Sequence, residues 1–323
     1  MTHHTADTYS LVADIGGTNT RVALAKGRQL LPNTVQKYAN TDFDGLEPLL
    51  RQYITQQGDV DCRAVCVAVA GPVRDGVAVL TNRDWTIDTG TLAAAARAEK
   101  VAILNDLQAQ GHALGHIDPG NIRPVMSGGT PAQGVTQLVV GIGTGANAAP
   151  VFETEHGRMV MPSECGHANL PIRTPADLRL CQYVETAHGF AGVEDVLSGR
   201  GLERVYRWLG LEAEDEVKKS AADIMAGIND GNDPRASKAV GVFIRILGTF
   251  VGNQALIQLP FGGIYLIGGV ARAMAPHLSH FGFEAAFCDK GRFGDFMQSF
   301  PVRVIEDDYA ALIGCASYLA NTP

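Results

Sequence analysis

Short apolar runs, most of them ending at a glycine, alternate along the chain with longer stretches of helical periodicity. The runs at 10–13, 21–25, 64–70, 77–80, 101–104, 137–142 and 264–267 are β-rich and bounded by turn formers, which predicts strands. Apolar positions recur at helical spacing over 44–57, 91–99, 107–114, 176–186, 201–209, 220–227, 234–259 and 309–320, which predicts helices. Strands and helices intermixed in this way predict an α/β fold. Strand–turn–strand occurs around Gly16 and Gly17 and again around Gly143 and Gly145, a repeat of structure rather than of sequence that hints at two similar α/β halves. The Gly- and Pro-rich loop at 116–134 is the expected boundary. It separates a small domain over 1–117 from a large one over 118–306, and the last helix, about 307–323, is expected to return to the first domain.

Composition narrows the class. The 323 residues are 46% hydrophobic and 19% charged, enough for two ordinary cores at roughly 150 residues per domain. A net charge of −8 supplies no basic field, so neither nucleic acid nor an anionic membrane is an expected partner. The apolar stretch over 242–271 is interrupted by Arg245, Asn253, Gln254, Gln258 and Pro260, so it reads as a buried helix followed by a buried strand rather than a membrane span. The first ten residues are polar and lack the apolar core of a secretory signal. The six cysteines form no framework: Cys62 and Cys66, four apart, are expected on one face of a strand, and no second pair completes a zinc set. Buried reduced thiols and a cytoplasmic location are expected.

Three glycine turns are candidates for chemistry. The first, Asp14-Ile15-Gly16-Gly17-Thr18-Asn19, follows the strand that ends at Ala13; adjacent glycines permit positive φ and close approach of backbone to a ligand. Asp14, at the strand end, is suited to holding Mg²⁺ through its water shell. No Gly-Lys-Ser/Thr follows, and the next element is a strand, so neither a Walker loop nor a dinucleotide fingerprint is present; a plain β-hairpin is the alternative. The second turn, Gly141-Ile142-Gly143-Thr144-Gly145, is suited to cupping an oxyanion. The third, Gly268-Gly269-Val270, offers flat backbone to an adenine ring or is a tight strand-to-helix turn. Asn105-Asp106 closes the strand at 101–104, where the carboxyl end of a sheet presents groups for chemistry, or caps a helix before Gln108. Glu164 and His167, in Pro162-Ser163-Glu164-Cys165-Gly166-His167, can bind neighbouring hydroxyls of a ligand; both, like Glu194, also read as solvated loop residues. Trp85 is either a sugar-stacking ring or part of a core, and Asp289-Lys290-Gly291-Arg292 reads as a surface or interdomain turn.

In their order and spacing the three turns resemble the phosphate-1, phosphate-2 and adenosine segments of the actin, sugar-kinase and Hsp70 superfamily. More narrowly, the chain resembles the bacterial glucokinases of the hexokinase group. The matching segments are Asp14 to Asn19, Leu80-Thr81-Asn82-Arg83-Asp84-Trp85, Leu104-Asn105-Asp106 and Glu164-Cys165-Gly166-His167. They continue through Glu194-Asp195-Val196-Leu197-Ser198-Gly199 and Ala285-Ala286-Phe287-Cys288-Asp289-Lys290-Gly291-Arg292-Phe293. The resemblance implies two ribonuclease-H-like lobes with a deep interlobe cleft that closes on substrate and excludes water. It implies ATP with Mg²⁺ on Ala13, Asp14, Ile15, Gly16, Gly17, Thr18, Asn19, Gly143, Thr144, Gly145, Gly268 and Gly269. It implies glucose on Asn105, Asp106, Glu164, His167 and Glu194, with Asp106 as the base for the attacking hydroxyl, and a homodimer.

The chain departs from the glucokinase pattern at two places. Ser163 and Cys165 flank Glu164 where glycine is common, and Ala146-Asn147 follows the second turn where leucine and glycine are more common. Neither departure removes a reacting group, and both bear on the shape of the hexose pocket. Other readings stay open: a kinase for another hexose or amino sugar, a non-catalytic sugar-sensing regulator, and an acyl-phosphate kinase, which would want a basic anion clamp.

Overall fold

The structure, a computed structural model, describes residues 9–80, 84–129, 134–155 and 157–322. Residues 81–83 of the motif ending at Trp85, the first eight residues of the polar N-terminal segment and residues 130–133 of the loop at 116–134 lie outside it. The chain divides into two compact units.

The first unit comprises Met1–Pro119, Thr154–Pro162 and Asp307–Pro323. At its centre β1 (Tyr9–Ile15) pairs antiparallel with β2 (Asn19–Lys26). On the other side β1 runs parallel to β5 (Cys62–Val69), and β5 parallel to β9 (Lys100–Asn105). The short strands β3 (Gln29–Leu30) and β4 (Gln36–Ala39) extend β2. A small three-stranded sheet, β6 (Val73–Arg74), β7 (Val77–Val79) and β8 (Thr86–Asp88), follows β5.

Alternation on the strands sends side chains to both faces of the main sheet, and both are buried. Leu11, Ala13 and Ile15 join Val65, Val67, Leu50, Tyr53 and Leu92 in one cluster, under α1 (Leu46–Gln56) and α2 (Thr89–Ala96). Val12, Ala23 and Cys66 meet Ala109, Leu312, Cys315 and Ala316 on the other face, under α3 (Asp106–Ala113) and α11 (Ala310–Asn321). Gly314 lets α11 approach α3 closely: a Cβ there would lie 1.6 Å from the Ala109 carbonyl oxygen. Trp85 is buried in the first cluster, so its ring serves the core. The middle piece of the unit, Thr154–Pro162, includes β13 (Gly157–Val160).

The second unit comprises Gly120–Glu153 and Ser163–Glu306. Here β11 (Gln137–Ile142) pairs antiparallel with β12 (Ala146–Thr154) and parallel with β14 (Ile264–Ile267), which runs parallel to β15 (Val302–Ile305). β10 (Ile122–Met126) closes the edge antiparallel to β15. A hairpin flanked by two parallel strands is thus the core of both units, and each is a ribonuclease-H-like α/β layer.

The helices of the second unit are α4 (Pro175–His188), α5 (Gly199–Glu212), α6 (Ala221–Asn229), α7 (Pro234–Gln258), α8 (Gly269–Met274), α9 (Phe283–Cys288) and α10 (Gly294–Met297). Four start on a side-chain cap, at Thr174, Ser198, Ser220 and Asp233. α7 has the length and apolar composition of a membrane span, yet 61% of its most apolar window is buried inside the protein. Arg245 within it is held by the buried carboxylate of Asp177, Nη1 to Oδ2 3.0 Å, which keeps a charge inside the layer paired.

One expectation needs correction, and one freedom the sequence permits is not used. Cys62 and Cys66 do not share a face: the register of β5 on β1 shifts between Tyr9 and Ser10, so Cys62 joins the cluster of Val65 and Val67 while Cys66 points to the opposite side. An irregularity of one residue reverses every side chain beyond it. Gly16 and Gly17 are not at positive φ. The first turn is held by bonds to its backbone instead.

Candidate active site

The first unit carries the turn after β1. Asp14 and Arg21 face each other across the β1–β2 pair, with Oδ2 3.5 Å from Nη1. The Asp14 side chain is 20% exposed; burial raises its pKa above the ordinary carboxylate value, and Arg21 opposes the rise. The Gly16 N–H donates to the Asn19 carbonyl at 3.0 Å, and Thr18 is exposed at the tip. The Ala13 carbonyl faces the Cys315 thiol at 3.9 Å, and the Ile15 carbonyl accepts from Ala70 N–H at 3.0 Å.

Asn40, fully buried, ties this turn together. Its Nδ2 donates to the Gly16 carbonyl at 2.8 Å, its Oδ1 accepts from Thr20 Oγ1 at 2.8 Å, and its N–H donates to the Thr18 carbonyl at 2.9 Å. The sequence reading missed it: Asn40 stands twenty-four residues beyond Gly16 in a polar stretch with no motif.

Asn105 and Asp106 stand at the end of β9, in the same unit. Asn105 is the N-cap of α3: Oδ1 accepts from Leu107 N–H at 2.9 Å, and the Asn105 N–H donates to Gln108 Oε1 at 3.2 Å. Nδ2 donates to the Gly71 carbonyl at 3.0 Å. Asp106 opens the helix with its Oδ1 accepting from Leu107 N–H at 2.8 Å. Asn105 thus ends the strand and caps the helix at once. Gln108 also reaches the Val160 carbonyl, at 3.1 Å, securing the helix start to β13.

The second unit brings together the other two turns and the remaining carboxylates. β11 and β14 end side by side, Gly141 opposite Ile267. The turn after β11 is closed by Gly143 N–H on the Gly145 carbonyl at 2.9 Å, and Thr144 is exposed. Gly268, after β14, has φ 107°, and a Cβ there would stand 2.4 Å from the Ile142 carbonyl oxygen, so only glycine fits against the neighbouring turn. Gly269 opens α8 with free space around its Cβ position. At the start of α5, the Gly199 N–H donates to the Gly143 carbonyl at 2.9 Å.

Two antiparallel backbone segments then bring Glu164, His167 and Glu194 close. His167 N–H donates to the Glu164 carbonyl at 3.1 Å, Glu194 N–H to the Gly166 carbonyl at 2.9 Å, and Val193 N–H to the Ala168 carbonyl at 3.0 Å. A bridge pairs Asn169 with Gly192. The Glu194 carboxylate lies over the second turn, its Oε2 3.4 Å from Ala146 N and 2.4 Å from where a Cβ on Gly145 would be. Gly145 thus leaves room for a carboxylate. Glu164 and His167 are exposed, and Glu194 is half-buried. Asp289 is occupied elsewhere, by Arg173 at 2.8 Å, and Lys290 donates to the Thr249 carbonyl at 3.2 Å.

Among the described residues no three His, Cys, Asp or Glu side chains stand together as a direct metal cage. Asp14, a single partly desolvated carboxylate at a strand end, fits the other mode, in which Mg²⁺ keeps most of its waters and is steadied by one carboxylate and the phosphates of its nucleotide.

Known proteins match nearly the whole chain. The sequence model of the family described as Glucokinase matches residues 11–322. A glucokinase of Brucella abortus is 34% identical over 317 residues, covering 97% of this chain and 91% of its own length. The crystal structure of a glucokinase from an Antarctic psychrotroph superposes with a TM-score of 0.86 at 28% identity, covering 97% of this chain and 99% of that one. A glucokinase from Balamuthia mandrillaris in complex with glucose shares the fold, with a TM-score of 0.80 at 22% identity over 97% of this chain and 93% of that one. A match of that extent, with strand-end carboxylates and glycine turns in the family's order, means that the chain belongs to the glucokinase family.

Proposed function

We propose that this kinase moves the γ-phosphoryl group of ATP onto the 6-hydroxyl of glucose, giving glucose 6-phosphate and ADP. The observation that carries the reading is the grouping of Glu164, His167 and Glu194 beside the turn at 143–145, in a chain of the glucokinase family. Carboxylates and an imidazole so grouped accept hydrogen bonds from neighbouring hydroxyls, and a sugar lacking one hydroxyl leaves a polar group unpaired.

Asp106 is the base. Its Oδ1 bond to Leu107 N–H fixes the carboxylate at the head of α3, and the Asn105 cap fixes the head of the helix. Asn105 has a second Nδ2 hydrogen besides the one given to Gly71, and that hydrogen is the donor offered to the sugar. The hydroxyl oxygen forms the new bond to phosphorus, the bond to the ADP oxygen breaks, and the hydroxyl proton passes to Asp106. Phosphoryl transfer has a loose transition state, so proton removal comes late and orientation of the hydroxyl matters most.

ATP would be held by residues 13–19, by Gly143, Thr144 and Gly145, and by Gly268 and Gly269; Asp14 would hold Mg²⁺ through water, and the ion would supply charge neutralisation at the phosphates. Backbone N–H groups of glycine turns serve as phosphate donors without any basic patch. A cytoplasmic location and a homodimer complete the proposal.

The test is ADP release from Mg-ATP with glucose, mannose, fructose, glucosamine and no sugar in parallel. Release that depends on glucose and falls about 10²-fold or more in Asp106→Ala is expected. Near-wild-type turnover of that variant removes Asp106 from the mechanism. Release driven by another sugar alone transfers the reading to that sugar.

A further inference from the structure

The positions at which the chain departs from the glucokinase pattern touch one another. Asn147, the second residue of β12, is half-buried, and its side chain bonds both residues that flank Glu164. Its Nδ2 donates to the Ser163 carbonyl. Its Oδ1 accepts from Cys165 N–H at 3.2 Å and from the Cys165 thiol at 3.4 Å, and also from Ala148 N–H at 2.8 Å. Ser163 Oγ accepts from the same Cys165 N–H at 3.2 Å. Burial pushes the Cys165 thiol up in pKa, which keeps it a donor. Ala146, the remaining departure, offers its N–H to Glu194 Oε2 at 3.4 Å.

From this geometry we infer that Asn147 is a positioning residue for the hexose: with Ser163 and Cys165 it clamps the backbone on both sides of Glu164 and so sets sugar affinity and selectivity. Side chains at 163 and 165 narrow the conformations open to the turn, and the Asn147 amide selects one of them by bonding an acceptor before Glu164 and a donor after it. A glycine at 147 could make none of these bonds. Asn147 bonds nothing in the phosphate turn at 143–145 through its side chain; its partners are Ser163, Cys165 and its own neighbour Ala148. Its effect therefore falls on the sugar and not on the nucleotide. The inference rests on the reading of Glu164 as a sugar ligand.

Steady-state kinetics with the full chain test it, using Asn147→Ala, the isosteric Asn147→Asp and Glu164→Gln. Loss of two or three neutral hydrogen bonds from the turn is expected to raise the glucose KM of Asn147→Ala about tenfold or more. Its kcat changes less than its glucose KM, its ATP KM stays put, and its kcat/KM ratio for glucose over mannose shifts. Asn147→Asp, which keeps the Oδ1 acceptor but sets an oxygen against the Ser163 carbonyl, raises the glucose KM severalfold, and it answers the question if the alanine variant does not fold. An unchanged glucose KM in a folded Asn147 variant, or equal rises for glucose and ATP, overturns the inference provided Glu164→Gln weakens glucose. If Glu164→Gln leaves the glucose KM unchanged, it is the assignment of Glu164 to the sugar that fails, and the inference falls with it.

Discussion

Gly166 stands between Glu164 and His167 with its Cα packed on β12. A Cβ there would lie 1.7 Å from the Ala146 carbonyl oxygen, 2.9 Å from its carbon and 3.6 Å from the Glu194 Cβ. In Gly166→Ala the turn has to retreat from β12 by roughly 1.5 Å to restore ordinary contact, since backbone oxygen cannot swing aside as a side chain can. The retreat also strains the bond from Glu194 N–H to the Gly166 carbonyl, now 2.9 Å, and so separates Glu194 from Glu164 and His167. Overpacking of this kind costs about 1–3 kcal/mol of stability. A displacement of about 1 Å in groups that orient a substrate costs about 10²-fold in rate.

The variant is measured twice: thermal unfolding gives the packing cost, and kcat/KM for glucose in an ADP-release assay gives the catalytic one. A fall of about 10²-fold or more in kcat/KM, in protein that still melts cooperatively, is expected. Gly248→Ala is the control, because its Cβ would meet the Phe283 carbonyl oxygen at 2.6 Å where α7 packs on α9. It is expected to lose comparable stability and keep its glucose KM. A folded Gly166→Ala with kcat/KM within about threefold of wild type would falsify the assignment of this turn to the sugar.

Two further outcomes concern other parts of the molecule. Asn40→Ala removes both side-chain bonds, to the Gly16 carbonyl and from Thr20 Oγ1, while the backbone bond to the Thr18 carbonyl stays, and is expected to raise the ATP KM while leaving the glucose KM alone; the reverse pattern in steady-state kinetics sinks the assignment of this turn to the nucleotide. Asp233 caps α7, accepts from Lys219 Nζ at 2.7 Å and from Tyr206 Oη at 3.0 Å, and although burial works to raise its carboxyl, Lys219, the Ala236 amide and Tyr206 outweigh burial and hold it at about 2. Because the folded value lies below the unfolded 3.8, its contribution of at most about 2 kcal/mol is complete above pH 4 and is lost as pH falls towards 2, so chemical denaturation of Asp233→Asn should show a flatter acid limb; an unchanged limb refutes it.

Much of the layer pattern was legible in the sequence because strands buried on both faces are continuous apolar runs. The runs at 137–142 and 264–267 are the strands β11 and β14 with no change of bounds, and the long periodic stretch from 234 is α7. The strand expected after Gly145 is β12, but its extent was not legible: Asn147, Pro150 and Glu153 break its apolar pattern, and its partner β11, not its own composition, sets its length. β4 is four residues on an edge with two polar side chains, too short to show a period. The faces of Cys62 and Cys66 turned on one register shift, and strand alternation read from sequence assumes that no such shift occurs.

In the candidate site the proposed reacting groups stood out in the sequence and the reasons for their surroundings did not. Asp106, Glu164, His167 and Glu194 are chemically conspicuous wherever they stand, whereas a glycine gives the same sign for three different needs. Sequence reasoning read Gly16, Gly17, Gly143 and Gly145 as freedom of φ or as room for a phosphate. Gly145 also yields space to the Glu194 carboxylate, Gly166 yields space to the Ala146 carbonyl, and Gly268 combines positive φ with a backbone contact. Those contacts join positions 20 to 126 residues apart, so no local pattern announces them. The same holds for Asn40 and Asn147, whose amides act on turns 24 and 16 residues away. Aspartate supplies the base and glutamate and histidine the sugar contacts on this reading, but glycine and asparagine decide where they stand. A substitution at Gly166 or Asn147 therefore separates the presence of the catalytic groups from their placement, which replacing Glu164 or Asp106 cannot do.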